Sequence, residues 1–403
     1  MPAGYIITVY FKARTLFLEI KMDIKQLFDA IDSLGEKYLR VWEDVVNIES
    51  PTSSKDGVDA VGEYFAKMAG ELGWEVERFR DECAGDALCI TANSKATNSP
   101  VVFSGHIDTV HPIGLFGYPP SHVEGDYIYG PGVTDCKGGV VSSFMAIEAL
   151  CSVGFVSRPV RLIIQTDEET SSKNSGWATV RFMCERARGA VAFLNTEGAF
   201  GNTAVIRRKG IVRYRITVKG KACHSSMCSK GASAIAEASH KILKLEQYKD
   251  ESAITCNCGV ISGGTTPNTV PAECSFLLDV RFSTQAQYEE AKAAIERIAD
   301  HSDVDGCTAE LEQISFRPAM QYSEKNELLL SKINEIYEES GLPTLNASFA
   351  PGGSDAAHVT EAGIPCLDNF GVKGDFIHSA DERAYIPSLC ESAKKLAAVA
   401  FCI

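Results

Sequence analysis

The chain has 403 residues, of which 45% are hydrophobic and 23% charged, enough for roughly two domains with real cores. Its formal net charge of −14 argues against nucleic acid and anionic membrane as partners, because both are bound through basic surface. Fourteen cysteines include no C-x-x-C pair and mostly sit in apolar segments, so they read as free thiols of a reduced, cytoplasmic protein rather than as a disulfide or zinc-cluster framework.

Residues 1–20 are apolar but interrupted by Lys12 and Arg14, with no basic start and no small-residue cleavage site. They are neither a signal peptide nor a membrane span, and the first twenty-one residues read as an upstream start-site artefact, with an edge strand from Tyr5 to Tyr10 as the alternative. Met22 opens an amphipathic helix over 23–46, with Ile24, Phe28, Ile31, Leu34 and Tyr38 near helical spacing. From there to about 200, helices (56–73, 137–153, near 174–187) alternate with strands (86–92, 100–105, 160–166, 190–195). This is the rhythm of an α/β domain on a mostly parallel sheet with helices on both faces. After Lys209-Gly210 the order becomes β-α-β-β-α-β, the split ferredoxin-like unit of an inserted α+β domain. The expected organisation is a catalytic domain over 22–209 and 319–403, interrupted by a dimerisation or lid domain over 210–318, with a helix at 324–340 after the return.

Four apolar runs of strand character lead to metal-ligand residue types: Val101-Val102-Phe103 to His106 and Asp108, 160–164 to Glu168-Glu169, 191–194 to Glu197, and 364–370 to His378. Ligands in open α/β sheets gather at the carboxyl ends of strands, which would bring these residues together. His106 and Asp108 share a face of an extended segment, so the Asp108 carboxylate can hold the far ring nitrogen of His106. Asp135 ends a glycine-dense loop, Gly130-Pro131-Gly132-Val133-Thr134-Asp135, and reads as a helix N-cap or as a ligand. The glycines there allow close approach to a bound group. Glu168 and Glu169 point apart on extended backbone, so one can bind metal while the other faces substrate as a base. An acidic loop, a surface histidine and a structural late histidine are the ordinary readings of these segments taken singly. Together, two imidazoles and three carboxylates suit two divalent ions sharing a carboxylate, about 3.5–4 Å apart.

In this order, seven segments from about residue 35 to the C-terminus resemble the co-catalytic zinc metallopeptidase family of glutamate carboxypeptidase, acetylornithine deacetylase, succinyl-diaminopimelate desuccinylase and the aminoacylases. The resemblance implies two Zn2+ per subunit, with Co2+ or Mn2+ as possible substitutes. It implies that His106 and Glu197 hold one ion, Glu169 and His378 the other, and Asp135 bridges them. Asp108 would orient His106, Glu168 would be the general base, and a non-proline cis peptide would follow Asp135. Cys136 departs from the acidic residue or asparagine that many relatives place there, and is read as a neighbour rather than a ligand. Ala222-Cys223-His224-Ser225-Ser226 resembles the segment whose histidine reaches the other subunit of a homodimer, making His224 a catalytic candidate. Asn268, Arg281 and Arg208 are candidates for the substrate carboxylate. Gly352, Gly353 and Ser354 belong to a loop resembling one that lines the substrate pocket. The implied reaction is hydrolysis of an amide in a small peptide with a free carboxylate, carboxypeptidase-like, with N-acyl amino acid deacylation as the alternative. A non-catalytic binding protein on the same fold is the rival of another class; it would lack a ligand or the base, and none is missing.

Overall fold

The computed structural model describes backbone from Ala3 and side chains from residue 23 onward. The segment Tyr5–Tyr10, for which an edge strand is the alternative expectation, is instead helical, part of a helix that runs unbroken from Ala3 into the expected 23–46 helix, while Met1 and Pro2 and the side chains of residues 1–22 lie outside the described residues. The chain forms two compact units: Met1–Ile206 with Tyr322–Ser348 and Ala362–Ile403, and Arg207–Gln321 with Phe349–Glu361.

The first unit runs α1 (Ala3–Asn47), α2 (Lys55–Glu71), β1 (Glu75–Phe79), β2 (Ala87–Ala92), β3 (Val101–His106), β4 (His122–Glu124), β5 (Tyr127–Tyr129), α3 (Lys137–Ser152), β6 (Val160–Gln165), α4 (Ala178–Ala187) and β7 (Ala192–Asn195), ending in β8 (Thr203–Arg208), which crosses into the second unit. The second carries β9 (Gly210–Lys219), β10 (Cys223–His224), α5 (Ala234–Leu245), β11 (Thr255–Gly263), β12 (Thr269–Val270), β13 (Glu273–Phe282), α6 (Gln285–Asp300) and β14 (Thr308–Arg317). After it come α7 (Glu324–Ser340), β15 (Asn346–Ala350), α8 (Ala356–Glu361), β16 (Cys366–Leu367), β17 (Gly374–Asp375), β18 (Arg383–Tyr385) and α9 (Ser388–Cys402).

The main sheet has the order β1-β2-β6-β3-β7-β16. β6, β3, β7 and β16 are parallel, and β2 and β1 add an antiparallel edge, a common variation of doubly covered sheets. The central strands are buried on both faces, which explains why they read as unbroken apolar runs rather than alternating ones. Tyr38, Trp42 and Val45 of α1 share one core with Phe144 and Ile147 of α3 and with Leu396 and Ala400 of α9. Lys137, in the first turn of α3, is fully buried and donates to the carbonyls of Val45 and Ile48 at 3.0 and 2.8 Å. It thereby satisfies the otherwise unpaired C-terminal end of α1, and burial pushes its ammonium down to about 7. A second, four-stranded antiparallel sheet, β17-β18-β5-β4, lies in the same unit and joins the hairpin after residue 373 to the strand before the glycine-dense loop.

The second unit is a four-stranded antiparallel sheet in the order β11-β13-β9-β14 with α5 and α6, the ferredoxin-like arrangement. Alternating burial along β13 shows one covered and one half-open face. Residues 349–361, with the glycine-rich Pro351-Gly352-Gly353 turn, belong to this unit: Lys209 donates its amide to Ala350 and Arg208 its guanidinium to the Gly352 carbonyl at 3.2 Å. The core of the unit holds a buried ion pair, Lys241–Glu237 at 2.9 Å. Lys241 also donates to the carbonyls of Ile298, Ala299 and His301 at the end of α6, while Glu237 accepts from the amides of Asp303 and Val304. Removing one partner leaves a buried charge without its counterpart. Lys241→Ala is therefore expected to destabilise the protein by about 3–5 kcal/mol in chemical denaturation; a loss below about 1 kcal/mol would show that the pair contributes little.

Candidate metal centre

Register brings the expected ligands to one sheet edge. On β3 and β6, His106 pairs with Gln165, three residues before Glu168; on β3 and β7, Ser104 pairs with Asn195, which sets Glu197 level with His106. The His106 Nε2 atom lies 3.9 Å from Glu197 Oε1 and 3.0 Å from Asp135 Oδ1. The other Asp135 oxygen, Oδ2, lies 3.0 Å from His378 Nε2, which is itself 3.5 Å from Glu169 Oε2. One carboxylate thus faces a different histidine with each oxygen, and each histidine has its own glutamate. Ligand atoms of His106, Asp135 and Glu169 all lie within 4.8 Å of one another, as do those of His106, Cys136 and Glu197.

His378 does not come off the end of a main-sheet strand as its neighbours do. β16 is only two residues long, and His378 sits in the hairpin between β17 and β18 in a left-handed conformation (φ 63°), a costly backbone state typical of functional turns. The small sheet carries it there, because β18 pairs with β5, which leads directly into the loop of Asp135.

Asp135 is not a helix cap. The residue in the capping position of α3 is Cys136, whose side chain makes no capping bond, and the peptide between the two is cis. The Cys136 thiol donates to the Thr196 carbonyl at 3.3 Å, and burial pushes its pKa well up, so it stays protonated. Gly139, in the first turn of α3, serves packing: a Cβ there would stand 2.0 Å from the Thr196 carbonyl oxygen, so α3 rests directly on the chain leading to Glu197.

The buried Asp108 carboxylate is a crossbar between loops. The nearest partner of His106 Nδ1 is the Asp108 backbone carbonyl, at 2.9 Å, with the carboxylate at 3.4 Å. That carboxylate instead accepts from the amides of Glu168 and Glu169, both at 3.2 Å, and from the Thr52 hydroxyl at 2.8 Å. His106 is thus held by the main-chain carbonyl and, at longer range, by the Asp108 carboxylate, which at the same time fixes the acidic turn. Asp167, the first of the three consecutive acids, is absorbed by its own loop through the Ser175 amide and the Thr170 hydroxyl.

The electrostatics are those of an anionic cage around two imidazoles. Burial and neighbouring acids push the Glu169 carboxyl up to about 7, and burial raises Glu197 well above the usual range. Burial alone would raise Asp135 too, but the two histidines outweigh it and hold its carboxyl far below the usual value. The Asp135 and Glu169 carboxylates push His378 up to about 10; burial opposes a charged His106, yet Asp108, Asp135 and Glu197 hold it well above its ordinary value. Three partly buried carboxylates and two imidazoles with no thiolate form a donor set that fits hard to borderline divalent cations.

Glu382 is a residue whose role the spacing did not disclose, although it lies in the His378 segment. Fully buried, it accepts from the amides of Thr134 (2.9 Å), Asp135 (3.1 Å) and Gly132 (3.3 Å) and contacts His111 Nε2 at 2.6 Å. It ties the hairpin of His378 to the loop of Asp135. An acidic residue four positions after a candidate histidine was the only signal, and nothing local distinguished it from Asp381. The other candidates lie in the second unit. Arg281 pairs with Asp279 (2.6 Å), which Arg213 shares; Asn268 is exposed; Ser354 is buried; and His224, exposed at the end of β10, accepts at Nδ1 from the Ser226 amide.

The peptidase dimerisation domain of the M20 peptidases matches residues 206–307. The chain is 26% identical over 367 residues to carboxypeptidase G2 of Pseudomonas sp. (strain RS-16), covering 89% of this chain and 87% of that one. It is 26% identical over 295 residues to succinyl-diaminopimelate desuccinylase of Sulfurimonas denitrificans, covering 70% and 78%. The fold matches an M20 family metallo-carboxypeptidase, Sso-CP2 of Sulfolobus solfataricus, with a TM-score of 0.72 at 16% identity, over 90% of this chain and 98% of the other. Partners that orient metal ligands typically contribute about 10–100-fold to metal affinity. Glu382→Gln is therefore expected to weaken zinc binding by that factor in calorimetric titration while the circular dichroism spectrum is unchanged; unaltered affinity would show that the Asp135 loop is held without it. The chain thus carries the peptidase dimerisation domain of the M20 peptidases inserted into an α/β catalytic unit, shares their fold, and is an enzyme similar over most of its length to M20 metallopeptidases and amidohydrolases.

Proposed function

We propose that the protein is a dinuclear zinc hydrolase that cleaves an amide bond in a small substrate with a free carboxylate, in the manner of a carboxypeptidase. The observation that carries this reading is the two-sided contact of Asp135, with His106 on one oxygen and His378 on the other. In this reading His106 and Glu197 hold one zinc ion, Glu169 and His378 hold the other, and Asp135 bridges them. Ions held there lower the pKa of water to about 7 and polarise the substrate carbonyl.

The chain's own residues do the rest. Glu168, nine-tenths buried and with its amide fixed on Asp108, takes the proton of the attacking water and passes it to the leaving nitrogen. His224 accepts at Nδ1 from the Ser226 amide, which places its proton on Nε2 and makes it a donor for an oxyanion. It acts in the partner subunit's site. The homodimer forms through the inserted domain, where edge strand β11 exposes Val260 and Ile261, and α5 exposes Ile235 and Leu243, a patch that suits a second copy. Arg208, Arg281 and Asn268, with the Gly352-Gly353-Ser354 turn, are proposed to hold the substrate carboxylate. Similarity to a carboxypeptidase supports peptide cleavage. Similarity to a desuccinylase supports the second reading, deacylation of an N-acyl amino acid by the same machinery. All fourteen cysteines are free, in keeping with a reducing cytoplasm, and among the described residues no helix is long and apolar enough to cross a membrane.

Glu168→Gln is expected to retain zinc, measured by atomic emission, and to lower kcat by about 10²–10⁴-fold; activity near wild type would remove it as the base. Because His224 is proposed to act in trans, His224→Ala and Glu168→Gln should each be nearly inactive as pure dimers. Hybrid dimers formed by mixing them should recover activity, since one of their two sites is then intact. No recovery in hybrids verified by native mass spectrometry would place His224 outside the partner's site.

A further inference from the structure

The hairpin that delivers His378 is held less by packing than the rest of the centre. The His378 side chain is 53% exposed, whereas that of His106 is 2% exposed. β17 and β18 share only two register pairs, Gly374–Ala384 and Asp375–Arg383, and residues 376–382 form the tip. Phe376 and His378 both adopt left-handed backbone, with φ of 59° and 63°, a strained state that persists only where its surroundings enforce it. His378 stands between Phe376 and Ser379, whose amide (3.1 Å) and hydroxyl (2.7 Å) both donate to the Phe376 carbonyl. The placement of Phe376 therefore sets the placement of His378.

Arg383 is the residue that reaches Phe376. Cross-strand partners share one face of a sheet, so Arg383, Asp375 and Tyr129 project together, with Tyr127 diagonal to Arg383 on the same side. The next residue of an extended strand would point the other way. The left-handed turn at Phe376 breaks that alternation, and its ring lies 5.1 Å from the Arg383 guanidinium. The guanidinium also lies 4.5 Å from the Tyr127 ring and donates to Asp375 at 3.3 Å and to the Tyr129 hydroxyl at 3.4 Å. The main chain of the same residue is tied to the bridging loop, because the Arg383 carbonyl accepts from the hydroxyl of Thr134, next to Asp135, at 2.9 Å. Arg383 thus fastens the incoming arm of the hairpin with its side chain and the outgoing arm with its backbone. An exposed ion pair with Asp375 alone would contribute little. What sets Arg383 apart is a cation shared by two rings, one of them in the tip.

We propose that Arg383 is a positioning residue for His378: its guanidinium, held on the rings of Tyr127 and Phe376, fixes the tip of the hairpin and with it the affinity for one of the two ions. The proposal rests on the dinuclear reading above, in which Glu169 and His378 hold one ion and His106 and Glu197 the other. The ion held with His378 then depends on the Arg383 side chain. The ion held by His106, which ends β3 in the main sheet, does not.

The test titrates the whole chain, stripped of metal, with zinc against a competing chelator; the wild type is expected to bind in two steps. Arg383→Met should weaken one step by about tenfold, the scale of two cation–π contacts, and leave the other in place. Arg383→Lys, which keeps a cation over the rings, should retain most of the affinity, and Phe376→Leu, which removes one ring, should weaken the same step. In a His378→Ala background one step remains, and adding Arg383→Met should leave it unchanged, which a general loss of stability would not do. Should Arg383→Met fail to fold, Phe376→Leu decides by the same measurement. Both steps unaltered in Arg383→Met and Phe376→Leu, or a further loss when Arg383→Met is added to His378→Ala, overturns the positioning role. A wild type that binds a single ion refutes the dinuclear reading; weakening of that single step by Arg383→Met then leaves the positioning role standing, and an unchanged step overturns it. No zinc binding at all overturns both.

Discussion

A single carboxylate shared between two histidines is the constraint around which the first unit is organised. Asp135 can face His106 and His378 together only if a loop after β5, the end of β3 and a hairpin nearly 250 residues later converge within hydrogen-bonding distance. Each approach is supported from behind. Lys137, two residues beyond Asp135, fastens the start of α3 to the end of α1, and the absence of a side chain at Gly139 lets α3 rest on the segment of Glu197. An anion at the centre of other anions is stable only where positive charge completes it, and the carboxylates around the two histidines raise their pKa values accordingly.

Two further carboxylates act through backbone amides rather than through metal. Asp108 ties the acidic turn of Glu168 and Glu169 to the end of β3, and Glu382 ties the glycine-dense loop to the His378 hairpin. Charge-assisted bonds from several amides to one buried carboxylate are strong and directional. They set the loops in place independently of the ligands themselves. The acidic character of this region therefore has two origins, one for holding cations and one for holding loops, and residue type does not separate them.

The second unit follows a different logic. Its ferredoxin-like sheet has its own core, including the buried Lys241–Glu237 pair, and its edge strand and α5 expose apolar side chains. The residues proposed for substrate recognition belong to it, whereas the metal ligands and Glu168 belong to the first unit.

Much of this was legible in the sequence. Apolar runs buried on both faces announced the parallel strands, alternation after Lys209 announced the antiparallel domain, and the inventory of imidazoles and carboxylates pointed to paired cations. These are local signals, because side-chain period and residue type follow from backbone geometry and ligand chemistry. What only the tertiary structure decided are the contacts made across long separations. Those include the orientation of His106 by a backbone carbonyl, the amides gathered by Asp108 and Glu382, the delivery of His378 by a hairpin instead of a main-sheet strand, and the grouping of residues 349–361 with the second unit. A carboxylate carries no mark of whether an amide, a lysine or a metal ion will face it; that depends on which distant backbone the fold brings within about 3 Å.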